Sequence, residues 1–359
     1  MGPNVDANER VTPLSNGDIG RSRARFKCPP ATRFRANSFR VARVYLCVSI
    51  DCECDKGPNW RSERPLAFSG IADGIGRRLQ PLFRRFGAKP TYLLSPEVIL
   101  DGESASVLAT LLGDAELGAH LHGEYAEPGA FLPEITDAFQ RDYPPEIERE
   151  KLDYLTQSFI RAFGYRPTAF RAGRFGIGPH TLGFLEALKY AVESSVTPFM
   201  DWSDKAPGLS FRGAPTQPYR PDPQNAGAPG TSSLLEVPVT IRPRAAQKLP
   251  FIGKHLDPRW LRPTRGTARG LIDVARDEIA AARAARPYAN VVLNAMFHNV
   301  EIMPGKSPYA KTAADAQAIT DRLAALLDFA RRESISVVGL SDIPEIIAED
   351  LTRDARGVS

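Results

Sequence analysis

The apolar run Val44 to Cys54 (VYLCVSIDCEC) has no polar face until it ends in two carboxylates. A β-branched and aromatic stretch of this length predicts a central parallel strand buried between layers. After a polar, Pro-containing loop over Lys56 to Gly70, the spacing of Gly74 to Gly87 predicts an amphipathic helix that Gly87 terminates. Lys89 to Ser95 reads as a second strand, Ser104 to Leu112 as a short helix and Glu116 to His122 as a third strand. This alternation is that of a parallel sheet with helical crossovers. It continues with a helix over Pro144 to Gly164, which opens on Pro and acids and places Leu152, Leu155, Phe159 and Phe163 on one side. YRPTAFRAGRFG is a strand entering a Gly-rich turn, Gly178 to Tyr190 a helix, and Ala191 to Val196 and Leu234 to Ile241 are strand-like. The chain closes with a helix over Ala268 to Ala285, a strand over Asn290 to Phe297, a helix over Thr312 to Arg332, a strand over Ile335 to Leu340, and Ser341-Asp342 capping a final helix. Seven or eight strands alternate with helices in one α/β domain over residues 41–352. The Pro, Gly, Asn and Ser-rich stretch 203–233 is expected to be a lid or substrate-binding insertion, with the basic segment Pro243 to Arg265 adding to its rim.

Composition changes this picture in two places. At 359 residues and 43% apolar the chain is an ordinary folded globule, but its charge is uneven. Arg21 to Arg43 carries eight basic residues and no acid, which leaves the rest of the chain acidic. Residues 1–40 lack any period and read as a flexible basic tail, free to touch an anionic membrane surface. No recognition helix, zinc-finger spacing or aromatic-basic repeat accompanies the tail, so no nucleic-acid partner is expected. There is no membrane-spanning run and no signal-peptide core, so a cytoplasmic location is expected. The cysteines, Cys28, Cys47, Cys52 and Cys54, are too few for a disulfide framework. Cys52 and Cys54 are either buried thiols or a CxC metal pair.

The candidate chemistry gathers at strand ends. Asp51 and Glu53 are two apart, so they share a face at the carboxyl end of the first strand, where α/β folds place their sites. The pair either faces water or is relieved by a cation, an arginine or a shared proton. His120 and His122 share a face at the end of the third strand, with Glu124 two further on. Two imidazoles and a carboxylate suit Zn²⁺ or a similar ion, or else a hydrogen-bonded loop anchor. Arg171, at another strand end, could hold Asp51 ionised or bind phosphate or backbone. His298, closing a strand before a Gly/Pro loop, is placed for proton transfer. In PFMDWSD, Asp201 and Trp202 form part of a sugar-facing wall or a packed corner.

Taken in order, SIDCEC, GAHLHGEYAEP, FRAGRFG, MDWSD and MFHNVE resemble the motifs of the NodB-type polysaccharide deacetylases, carbohydrate esterase family four, from Val44 to Pro344. The wording HLHGE and FHNVEIMPGKSPYA is most similar to members associated with bacterial surface-polysaccharide and O-antigen biosynthesis. The resemblance implies a distorted (β/α)7-type barrel, an N-acetylated sugar or glycan substrate and a divalent metal, most often Zn²⁺. It further implies Asp51 as general base, Glu53, His120 and His122 as metal ligands, Arg171 orienting Asp51, His298 as general acid and Asp201 tuning His298. The family spaces its ligand histidines four apart, which would put Glu124 second; His122 takes that place here because HxH occurs in resembling members. Gly173 and Arg174 stand where the family has Pro and an aromatic residue. Two other readings remain: an amidohydrolase acting on a non-sugar amide, with or without metal, and a non-catalytic glycan-binding scaffold.

Overall fold

The computed structural model describes residues 42–130, 138–244 and 257–355, which fall in one compact unit. The expected tail over residues 1–40 and the middle of the basic rim segment lie outside the described residues. Eight parallel strands form the main sheet: β1 (Val44–Cys52), β2 (Thr91–Leu94), β3 (Glu116–Leu121), β4 (Ala169–Ala172), β5 (Val192–Glu193), β6 (Leu235–Glu236), β7 (Val291–His298) and β8 (Ser336–Val337). Its path runs β7-β1-β2-β3-β4-β5-β6, and β8 pairs with the first half of β1. The edges approach each other where the Thr240 N–H donates to the Asn294 carbonyl at 3.0 Å. The expected distorted (β/α) barrel is therefore the fold, with β1 at its centre.

Alternation along the strands sorts the interior into layers. Leu46, Val48 and Ile50 point outward into a large cluster with Ile75, Leu79, Leu323 and Leu327 from the covering helices. Cys47 points inward, where Leu93, Ala169, Val192, Leu235 and Val292 fill the floor of the barrel. Above that floor lies a polar layer of Ser49, Arg171, Ser194 and Asn294, and above it stand Asp51, His120 and His298 at the carboxyl ends of β1, β3 and β7.

The helices follow their local chemistry. Pro145–Phe163 begins at Pro144 and Pro145, carries Glu146 and Glu148 in its first turn and ends at Gly164, whose φ of +77° suits a residue without Cβ. Ala313–Arg332 is opened by a capping box in which Thr312 and Asp315 satisfy each other's N–H. The helix expected from Gly74 begins at Gly70, wound wide over Gly70–Leu79 before Gln80–Phe86. Asp342 does not cap the helix after it; its carboxylate accepts the Gly339 N–H at 2.9 Å and pairs with Lys89. Among the described residues no helix is long and apolar enough to cross a membrane.

Part of the stretch 203–233 packs inward. Leu209, Phe211, Ala214 and Ala226 are buried in the main cluster. Gln217 exchanges two hydrogen bonds with the Val292 backbone, at the amino end of β7 and away from the carboxyl edge of the sheet.

Beneath this stretch two fully buried carboxyls face each other across β5 and β6, Glu193 against Glu236. Burial, then the Glu193 carboxylate, push the Glu236 pKa well above the usual carboxylate range. A pKa raised on folding gives stability that is complete below the unfolded value of about 4.3 and is lost as pH rises toward the folded value. Glu236→Gln is therefore expected to be more stable than wild type at neutral and alkaline pH, and to flatten the decline of the thermal midpoint as pH rises above about 4.3. A midpoint that falls as steeply in the variant as in the wild type would remove Glu236 as its source.

Candidate active site

The carboxyl edge is assembled from the two ends of the chain. β1 and β7 run in register from Val44↔Val291 to Asp51↔His298, which sets the acid and the histidine side by side. Asn299, the next residue, donates to the Glu53 carbonyl and accepts the Glu53 N–H, both at 3.0 Å. That clamp fixes the chain as it leaves β1.

Asp51 is buried and held by Arg171, whose Nη1 donates to Oδ1 at 2.7 Å. The other guanidinium donors reach the Ser194 carbonyl, Ser49 Oγ and Ser194 Oγ at 2.7–3.0 Å. Ser49 Oγ donates in turn to Asn294 Oδ1, and Asn294 Nδ2 to Ser194 Oγ. Each member of this layer is satisfied, so Arg171 cannot swing without breaking several bonds. Burial would raise the pKa of Asp51, but Arg171, with His120 and His298 beside it, brings the acid below its ordinary range. Asp51 Oδ2 faces the site, 3.9 Å from both His120 Nε2 and His298 Nε2.

Glu53, His120 and His122 form the one group among the described residues whose ligand atoms lie close enough to share a metal ion. His120 Nδ1 lies 3.0 Å from the Arg171 carbonyl, which can only accept, so Nδ1 carries a proton and Nε2 is turned to the acids. That Nε2 is buried without a hydrogen-bond partner, 3.6 Å from Glu53 Oε1. A buried, unpartnered imidazole nitrogen beside two carboxylates fits a cation site. His122 Nε2 is 3.0 Å from Glu53 Oε1, and its Nδ1 is 3.2 Å from Glu124 Oε1. Burial opposes its charge, yet Glu53 and Glu124 push its pKa up to about 9. Glu124 also pairs with Arg174 at 2.8 Å, so it stands behind His122 and outside the ligand group.

His298 Nδ1 lies 2.8 Å from Glu301 Oε1, which fixes Nε2 toward Asp51 and Glu53. Glu301 is anchored by Arg262 and Thr264, and Arg262 holds its pKa down against burial. Asp201 is engaged elsewhere, with Ser203 and Arg212. The structure thus gives Glu301 the place beside His298 that the motif order assigned to Asp201. A carboxylate three residues past a strand-ending histidine, on a short helical turn, carries that signal in FHNVE; nothing local marked Arg262 or Lys56.

Aromatic rings frame both sides. Trp60 meets His298 edge-on at 4.8 Å and Tyr309 at 5.7 Å, while Trp202 stacks on Phe175, which also touches Trp260. Trp60 and Phe175 have φ of +61° and +56°, strained for bulky side chains and held by their surroundings. Gly173 lets the turn after β4 pass close, because a Cβ there would lie 2.5 Å from the Leu121 carbonyl.

The chain is similar to three solved structures over most of its length. A candidate glycoside hydrolase/deacetylase from Parabacteroides distasonis is 14% identical over 88% of this chain and 73% of its own, with a TM-score of 0.57. A candidate polysaccharide deacetylase from Mycobacterium smegmatis is 17% identical over 87% and 92%, with a TM-score of 0.52. The allantoinase Puue is 15% identical over 86% and 91%, with a TM-score of 0.50. What they share is the fold. No protein-family model matches the sequence, and no curated protein matches it.

Proposed function

We propose that the chain is a metal-dependent hydrolase of the NodB-type deacetylase class, removing the N-acetyl group from an amino sugar of a surface glycan or its precursor. The observation that carries the reading is the buried, unpartnered Nε2 of His120, facing Glu53 and the Arg171-held Asp51. Glu53, His120 and His122 would hold the ion, with Zn²⁺ suited to two imidazoles and a carboxylate. A divalent ion there supplies Lewis-acid chemistry: it acidifies water and polarises the acetamide carbonyl. Asp51 keeps one oxygen tied to Arg171 and turns the other into the site, where it accepts a proton from attacking water. His298, with Nδ1 occupied by Glu301, delivers a proton from Nε2 to the departing amine. The half-buried rings of Trp60 and Tyr309 on one side and of Trp202, Phe175 and Trp260 on the other give the site aromatic walls, which suit a sugar ring. The satisfied Arg171 layer, built to hold a charged Asp51, weighs against an inert scaffold.

Metal content and acetate release, measured together on stripped protein reloaded with Zn²⁺, test this. His120→Ala is expected to lose ion and activity together, and His298→Ala to keep the ion and lose turnover. Wild-type protein that retains no stoichiometric metal would overturn the metal reading, and normal turnover by His298→Ala would overturn the acid assignment.

A further inference from the structure

Lys56 is buried beside the candidate metal ligands, with Nζ 3.0 Å from Glu53 Oε2. Its ammonium also lies 3.7 Å from Cys54 Sγ and 5.7 Å from the centre of the Tyr125 ring. Burying an ammonium is costly unless it is paired, and a methionine would fill the same space without that cost. The two oxygens of Glu53 are thereby divided. Oε2 faces Lys56, and Oε1 faces His122 at 3.0 Å, His298 at 3.5 Å and His120 at 3.6 Å. The other site carboxylates are balanced in the same way: Asp51 by Arg171, Glu124 by Arg174 and Glu301 by Arg262. Each acid already has a fixed cation before any divalent ion enters.

We propose that Lys56 is a positioning residue for the metal: it confines Glu53 to ligation through one oxygen and lowers the affinity of the site for a divalent ion. The proposal rests on the metal reading above. A positive charge paired with one oxygen of a ligating carboxylate at 3.0 Å repels an ion on the other oxygen, and in a buried site this repulsion is weakly screened. Holding Oε2 away also denies the ion a second bond to the same carboxylate. The result is a site that binds its ion through few contacts and exchanges it.

The test is Zn²⁺ titration of the metal-stripped full chain against a competing chelator, for wild type, Lys56→Met, Lys56→Gln and Lys56→Arg. Methionine removes the charge and every polar atom, glutamine removes the charge but keeps a polar head, and arginine keeps the charge. Lys56→Met and Lys56→Gln are expected to bind one Zn²⁺ at least about tenfold more tightly than wild type, and Lys56→Arg to stay within about threefold. X-ray absorption at the zinc edge should read one more short oxygen contact in Lys56→Met. Because Lys56→Gln keeps a polar head in the pocket, it decides the matter should Lys56→Met fail to fold. Neutral variants that bind no more tightly than wild type overturn the proposal. A wild type and variants that all take up no Zn²⁺ would instead overturn the metal reading itself.

Discussion

Asp51→Asn is expected to fold, to keep its metal and to lose turnover by roughly 10²–10⁴-fold, the usual worth of a positioned acid–base group. The amide copies the shape of the carboxylate, and its carbonyl oxygen still accepts from Arg171 Nη1, now 2.7 Å from Oδ1. What it cannot do is take a proton from water. Since Glu53, His120 and His122 are untouched, metal stoichiometry separates loss of the base from loss of the ion. The measurement is kcat beside metal content and thermal midpoint, and turnover within tenfold of wild type would remove Asp51 from the role of base.

Arg171→Leu should show the opposite division, with stability failing first. The guanidinium is fully buried, and its loss strips Asp51 of its cation while leaving Ser49 Oγ and the Ser194 carbonyl without a donor. Removing one partner of a buried ion pair costs about 3–5 kcal/mol, because the charge left behind is uncompensated. Urea unfolding should read a loss of that size. The double variant Asp51→Leu with Arg171→Leu should recover part of it, since no buried charge then remains. A single variant as stable as wild type would show that the polar layer is not what holds the upper barrel.

The parallel sheet was legible because its strands are bounded by turn chemistry and buried on both faces, as in Val44–Cys52, and because helices such as Ala268–Ala285 and Ala313–Arg332 carry a clear period. The proximity of Asp51, Glu53, His120, His122, Arg171 and His298 was legible too, since all of them end or follow parallel strands of one sheet. The second layer was not. Lys56 and Arg262 lie in Pro-bearing loops without periodicity, and their burial depends on contacts that local sequence does not encode. Lys151 is a further instance: inside a helix it reads as a solvated charge, yet its ammonium is buried against the carbonyls of Gly123, Ala126 and Pro128 and holds the loop after His122. The inward packing of Leu209, Phe211, Ala214 and Ala226 was not legible for a related reason, because turn-rich composition signals a loop whether or not the loop packs inward.

The pairing of β1 with β7 also fixes when the site can exist during synthesis. Asp51 emerges from the ribosome early, whereas His298, its neighbour across the ladder, is made some 247 residues later. Until β7 is translated and zipped along β1, the Glu53 backbone lacks its Asn299 clamp and His298 has not been made. A polypeptide truncated ahead of Val291 therefore has Asp51 and Glu53 but cannot assemble the cluster around them.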